Sequence, residues 1–256
     1  MISEHAIIHP SAKIADHVTI GAGTIIDADV EIGEGTWIGP HVVIQGPTYI
    51  GRNNKIFQFA SLGGAPQDKT YNNEPTTLEI GDNNVIREFC TISRGTMKGH
   101  GKTVIGDNNF MMAYTHVGHD CVIEHDVTMV SYCALSGHVH VEHHATVGAY
   151  SAIHQFCRIG AYCFVGRCTY VGKDVLPYLM ISGYDATTCG VNTVGLKRAG
   201  FSSASIDVLR RAYKTIFRKG LTTQQALAEL ETIQSEYPDV IPFIQAIQNS
   251  TRGILR

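Results

Sequence analysis

An apolar residue recurs at every sixth position through most of the chain. Ile8, Ile14, Ile20, Ile26, Ile32, Ile38, Ile44, Ile50, Ile56 and Leu62 keep the spacing without a gap. It resumes at Ile80, Ile86 and Ile92, and again from Ile105 through Met111, Val117, Ile123, Met129, Leu135, Val141, Val147, Ile153, Ile159, Val165 and Val171. Every one of these is aliphatic or Met although only 44% of the chain is hydrophobic, so composition alone does not produce the pattern. An α-helix cannot carry it, because a helical apolar face returns after about 3.6 residues. A parallel β-helix can, each hexad supplying one short strand and a turn. The residue two places earlier is mostly small or β-branched, as at Val18, Thr24, Val30, Thr36, Val42 and Thr48. Glycine follows the apolar position at Gly21, Gly33, Gly39, Gly51 and Gly63, where a corner needs positive φ or close backbone approach.

Two polar, glycine-bearing breaks, residues 64–78 and 93–104, read as loops leaving the prism, where recognition residues commonly sit. The repeat ends near Pro177, which divides the chain into a β-helix domain, 1–177, and a linker with an α-helical region, 178–256. Within the second part, 178–200 reads as a glycine-containing transition. Helices are predicted from Ser202 or Ser203 to about Lys219, from Thr222 or Thr223 to about Glu236, and from about Val240 to Asn249. They are expected to cover the last coil, whose open edge would otherwise invite strand addition.

A formal charge of −3 gives no basic excess for nucleic acid, and no apolar run approaches a membrane span. The N-terminal residues lack the parts of a signal peptide, and seven cysteines without a CxxC pair suggest free thiols. These features point to a cytoplasmic protein without stable membrane insertion.

The stretch Tyr114-Thr115-His116-Val117-Gly118-His119-Asp120-Cys121 stands out within the repeat. A histidine followed by aspartate can act as a general base, the carboxylate holding its tautomer and stabilising the imidazolium. With 13 histidines in the chain, a lone pair of this kind is also compatible with packing.

The hexads, the two breaks and the C-terminal helices resemble the acyl-ACP–UDP-N-acetylglucosamine O-acyltransferase family of lipid A synthesis. The resemblance extends to Gln67-Asp68, His116-Val117-Gly118-His119-Asp120, Ile153-His154-Gln155-Phe156, Gly190-Val191-Asn192 and Gly195-Leu196-Lys197-Arg198. It implies a left-handed parallel β-helix with three hexads per coil, followed by a small α-helical region and assembled as a homotrimer. It also implies transfer of a 3-hydroxyacyl chain from an acyl carrier protein to the 3-hydroxyl of a UDP-sugar, with no cofactor. With about 18 residues per coil, His119 stacks under Gly137 and Gln155, and Asp120 under His138. His119 is then the base and Asp120 its orienting partner, and the resemblance assigns the oxyanion donor to the Gly137 amide. The resemblance assigns Gln67, Asp68, His116, His138, His154 and Gln155 to the sugar and its phosphates, and Asn192 and Arg198 to the nucleotide end.

Three positions depart from the family pattern. Thr70 stands where the family often has lysine, and the adjacent Lys69 would point the other way on an extended strand. Ser93 takes a place where relatives can have histidine. Arg167 replaces a glycine that leaves room for the acyl tail in some relatives, which makes it a candidate chain-length ruler. Other readings are the same chemistry on a 3-amino UDP-sugar or another UDP-sugar, and a non-catalytic scaffold. A trimeric zinc enzyme of the γ-carbonic-anhydrase kind, drawing on His116, His119, His138 and His143, is also compatible with the hexads.

Overall fold

The computed structural model describes residues 1–256. Its strands form three sheets, of nine, eight and ten strands, parallel except for one terminal antiparallel pair, which are the faces of a triangular prism. Ile7 pairs with Ile25, and 25 − 7 = 18, so three hexads close one coil. In the nine-stranded sheet the register widens twice, from Ser61 to Thr91 and from Thr91 to His116, giving 30 and then 25 residues. The two polar breaks are therefore loops that leave the coil and return to it in register.

The hexad works because strand side chains alternate faces. The sixth-position residue and the one two before it both point inward, so Val30 and Ile32, Val42 and Ile44, and Val139 and Val141 are all buried. Threonine and serine in the earlier position bury a hydroxyl, which must then be satisfied. Thr24 Oγ1 donates to Gly39 O at 2.7 Å, Thr36 Oγ1 to Gly51 O at 2.9 Å, and Ser151 Oγ to Gly166 O at 2.7 Å. Five of the seven free cysteines are buried, and burial pushes the Cys121 thiol up to about 12, so this sulfur serves packing.

Both reasons expected for glycine occur, positive φ at Gly63 (73°) and close approach at the others. A Cβ on Gly33 would lie 2.6 Å from the carbonyl carbon of Gly51 in the next coil, so close backbone approach holds there. The left-handed φ falls mostly on other residues. His41, Phe59, Phe89, Tyr114, Tyr132 and Tyr150 have φ between 54° and 63° and stack into one ladder along an edge of the prism, with ring centroids 4.7–5.6 Å apart. Each such residue costs on the order of 1–2 kcal/mol, and a stacked aromatic pair returns about 0.5–1.5 kcal/mol beyond its burial.

Past Pro177 the chain keeps building sheet. Leu179–Ser182 and Thr187–Val191 form an antiparallel hairpin that ends the ten-stranded face. Four helices follow: α1 (Thr193–Arg198), α2 (Ser203–Phe217), α3 (Thr223–Ile233) and α4 (Ile241–Asn249). Ser202 caps α2, and Thr222 forms a reciprocal capping box with Gln225 at the start of α3. The hairpin and α1 lie in the segment expected to be a transition. The hairpin leaves the hexad register, since Val165 pairs with Ile181 and 181 − 165 = 16, and α1 is too short to show a periodic face. The edge at Asp174 in the last coil is paired by the tail beyond α4, where the helices themselves were expected to cover it. Leu255 N donates to Asp174 O, Asp174 N donates to Gly253 O, and Ser250 Oγ donates to Asp174 Oδ2. No helix is long and apolar enough to cross a membrane.

Candidate active site

His119 follows its strand by two residues, and Asp120 takes the left-handed corner position with φ 59°. This turn brings His119 Nδ1 to 2.8 Å from Asp120 Oδ2. The carboxylate side chain is fully buried, so it depends on donors. Thr96 supplies two from the second loop: its N–H donates to Oδ1 at 3.0 Å and its hydroxyl to Oδ2 at 2.7 Å. Burial pushes the Asp120 carboxyl up, but the Thr96 N–H, His119 and the Thr96 hydroxyl outweigh it and hold the group below its ordinary value. An ionised carboxylate on Nδ1 fixes that nitrogen as the N–H and leaves Nε2 as the proton acceptor.

Gly137 lies one coil on, against the ring of His119. A Cβ there would approach Nε2 and Cε1 to 2.6 Å, so any side chain would push the imidazole out of its place. The Gly137 N–H donates to no acceptor in the chain. Gly137, with its unpaired amide, therefore lies directly against the His119 ring that carries the acceptor nitrogen. His138 closes the group, its Nε2 3.8 Å from Asp120 Oδ2 and its ring stacked on Phe156 at 4.4 Å. Burial draws the pKa of His138 and of His116 down, the Asp120 charge opposing this at His138 and His119 adding to it at His116.

A cavity of about 550 Å³ opens over these rings, lined by Gln67, Asp68, Lys69, Lys98, His119, His138, Gln155 and Phe156. Gln67 and Asp68 reach it from the first loop, as expected. Lys69 reaches it too, contrary to the extended-strand expectation, because residues 69 and 70 form a turn. Thr70 N–H and hydroxyl both donate to Asp68 Oδ1, at 2.9 and 2.8 Å, and hold this carboxyl below its ordinary value. The ammonium missing at position 70 is supplied by Lys98 of the second loop, which contacts Thr70 Oγ1 and lies 3.9 Å from Asp68 Oδ2. Arg94 locks the loops together through Tyr71 Oη at 3.0 Å and the carbonyls of Gly46 and Gly63 at 2.8 and 3.1 Å. The sequence does not single out Lys98 or Thr96. The only available signal was a polar insertion close in sequence to the His119 coil.

The remaining candidates lie elsewhere. His116 is half-buried with Nδ1 2.7 Å from Thr91 Oγ1, and His154 Nδ1 is 3.1 Å from Gln155 O; neither lines this cavity. Ser93 is buried at the end of its strand. Asn192 and Arg198 line a second cavity of about 520 Å³ with His144, Tyr162, Phe164 and Met180. Asn192 also has structural work: its Oδ1 caps α1 through Gly195 N, and its Nδ2 donates to Tyr162 O at 2.9 Å. His143 pairs with His144 at 3.1 Å and so stands apart from the His119–His138 group. Arg167 is exposed beside Cys168, on the edge that carries the aromatic ladder rather than the edge of His119.

Comparison with known proteins adds independent findings. Residues 174–255 match the family model described as UDP N-acetylglucosamine O-acyltransferase, domain 2, and residues 29–64 match bacterial transferase hexapeptide repeats. The chain is 50% identical over 256 residues to the acyl-[acyl-carrier-protein]–UDP-N-acetylglucosamine O-acyltransferases of Pseudomonas syringae pv. syringae and Stutzerimonas stutzeri, covering 100% of this chain and 99% of each relative. The solved UDP-N-acetylglucosamine acyltransferase of Francisella novicida superposes with a TM-score of 0.98 at 43% identity, covering 100% of this chain and 94% of that one. The UDP-N-acetylglucosamine O-acyltransferase of Moraxella catarrhalis superposes at 0.97 and 43% identity, covering 100% and 99%.

Proposed function

Because the chain belongs to the acyl-[acyl-carrier-protein]–UDP-N-acetylglucosamine O-acyltransferase family, we propose that it carries a 3-hydroxyacyl group from an acyl carrier protein to the 3-hydroxyl of UDP-N-acetylglucosamine, the first step of lipid A synthesis, in the cytoplasm. The observation that carries the mechanism is the pairing of a free Nε2 on His119 with a free N–H on Gly137. A sugar hydroxyl held over the ring passes its proton to Nε2 as its oxygen attacks the thioester carbonyl. The oxyanion of the tetrahedral intermediate is taken by the Gly137 N–H. Collapse breaks the carbon–sulfur bond, and the imidazolium returns the proton to the carrier thiolate. Asp120 stabilises the imidazolium throughout. Gln67, Asp68, His138 and Gln155 contact the sugar and its phosphates, with His116 and His154 at the margin, and Lys69 and Lys98 add positive charge for the phosphates.

The purified protein tests this when given acyl carrier protein thioesters with UDP-N-acetylglucosamine or its 3-amino analogue. An alkali-labile ester on the hydroxyl sugar supports the reading. Transfer confined to the amino sugar, giving an amide, replaces the acceptor.

Asn192 and Arg198 line a different cavity from His119. A nucleotide sugar that meets both sets is most simply held between two copies, which favours the homotrimer. The exposed ladder from Phe59 to Tyr150 adds an apolar edge for subunits to cover. Co-assembling His119→Ala with Arg198→Ala chains is then expected to restore about a quarter of wild-type turnover, the statistical share of sites built from two intact halves. No recovery on co-assembly rejects the shared site.

Helix α2 presents Arg210, Arg211 and Lys214 to solvent, which suits an acidic carrier protein. Arg210 is already paired with Asp207 at 3.2 Å, and Arg211 lies over Tyr237 at 4.8 Å. Charge reversal at Arg210 and Arg211 together is expected to raise KM for the acyl carrier protein by about tenfold, with salt reproducing the effect on the wild type. A KM insensitive to both removes this docking surface.

Since Arg167 sits on another edge from His119, it limits tail length only if the tail crosses to a neighbouring copy. On that reading Arg167→Gly shifts preference toward longer acyl chains and leaves turnover on short ones intact. Superimposable chain-length profiles exclude the ruler.

A further inference from the structure

The His119 constellation occurs a second time, one hexad later. His125-Asp126 repeats His119-Asp120, and His144 follows Asp126 by 18 residues as His138 follows Asp120. The geometry repeats with the sequence. His125 Nδ1 lies 2.8 Å from Asp126 Oδ2, and His144 Nε2 lies 3.8 Å from the same oxygen, the two distances of the first group. The two rings stand at 87° to each other, against 89° in the first group. The second group occupies another edge of the prism; His144 borders the cavity of Asn192 and Arg198, and no proton transfer of the acyl-transfer mechanism passes through the group.

We propose that His125, Asp126 and His144 form a binding site for a divalent transition-metal cation of the zinc, cobalt or nickel class. Two imidazoles and one carboxylate suit these borderline ions. Bonds of about 2.0–2.2 Å place neighbouring ligand atoms roughly 3–3.5 Å apart, so separations of 2.8 and 3.8 Å need only small side-chain adjustments. The three ligand atoms already lie within 4.8 Å of one another.

The surroundings decide which of the two groups takes the ion. Asp120 is buried, and its oxygens already accept from His119 and twice from Thr96. Asp126 is exposed, and its carboxylate accepts from His125 alone. Its remaining lone pairs are open, and the cation replaces the Nδ1 proton of His125. His143 completes the arrangement. Its Nδ1 lies 3.1 Å from Nδ1 of His144, so His144 can donate from that nitrogen and keep Nε2 unprotonated for the metal. His143 in turn stacks on His125, with 5.1 Å between ring centroids, and its N–H is held by Glu124 Oε2 at 3.1 Å. The ligands are therefore braced before any ion arrives.

Equilibrium dialysis of chelator-washed, full-length protein against micromolar Zn²⁺ tests the proposal, with the Co²⁺ visible spectrum as a second readout. Asp126 has φ 58°, which asparagine tolerates, so His125→Ala with Asp126→Asn removes two ligands without forcing the corner. The expected result is one Zn²⁺ per chain in the wild type and in His119→Ala, and loss of that ion in the His125→Ala, Asp126→Asn protein. Circular dichroism confirms that each variant is folded. Absence of Zn²⁺ from the wild type overturns the proposal. So does loss of the ion in His119→Ala with retention in the double variant, which would assign it to the catalytic group.

Discussion

His119→Ala is expected to lower kcat by about 10² to 10⁴, the range for loss of a general base, while KM for the nucleotide sugar changes little. The truncation leaves the cavity walls standing, because Gln67, Asp68, Lys98 and Gln155 do not depend on the imidazole. It removes only the nitrogen that takes the proton as charge develops, and an interaction made chiefly in the transition state appears in kcat. Steady-state kinetics with sedimentation of the variant check this. Wild-type turnover from a folded variant would remove His119 from the mechanism.

Asp120→Asn is expected to be comparably severe in rate and to cost stability as well. An asparagine must aim its amide nitrogen either at the Thr96 N–H, which sets donor against donor, or at the position shared by the Thr96 hydroxyl and His119 Nδ1, which forces the histidine into the wrong tautomer. Where a comparable buried aspartate orients a catalytic histidine, amide substitution costs about 10⁴ in kcat. The stability loss is about 1–3 kcal/mol, the usual cost of a buried donor left unpaired. The two variants separate in thermal unfolding, since His119→Ala keeps the Thr96 bonds and Asp120→Asn does not. Identical melting for all three proteins would show that the carboxylate does not tether the second loop. The pH dependence has a definite sign. The folded pKa of Asp120 lies below its unfolded value of about 3.9. Its contribution is therefore complete above that value and is lost as pH falls through the lower folded one. The wild type loses this increment in acid, and Asp120→Asn has none to lose.

The sequence announces whatever repeats. The inward Ile and Leu columns follow from spacing; the 18-residue coil comes with the family resemblance, and once it is granted the meeting of His119, Asp120, Gly137 and His138 follows from it. The same arithmetic also bears on Arg167: 167 − 119 = 48, two coils and two hexads, which places it on another edge. Height along the prism conceals this unless the angle around it is counted too. What did not repeat stayed hidden. Lys98 and Thr96 reach the site through a loop whose path has no period. The hairpin after Pro177 breaks register by two residues, and the separation of the Asn192–Arg198 cavity from the His119 cavity depends on which edge of the prism each column occupies.

The aromatic edge has an optical consequence. Tyr114, Tyr132 and Tyr150 lie 4.7 and 4.8 Å apart with their planes within 5° of parallel, so their ultraviolet transitions couple and give one collective band. The chain's single tryptophan, Trp37, packs edge-on against Phe57 on another part of the surface and absorbs independently. Beside its other tyrosines the protein therefore carries two distinct reporters: an indole on one early coil, and a three-tyrosine array whose circular dichroism persists only while successive coils stay in step.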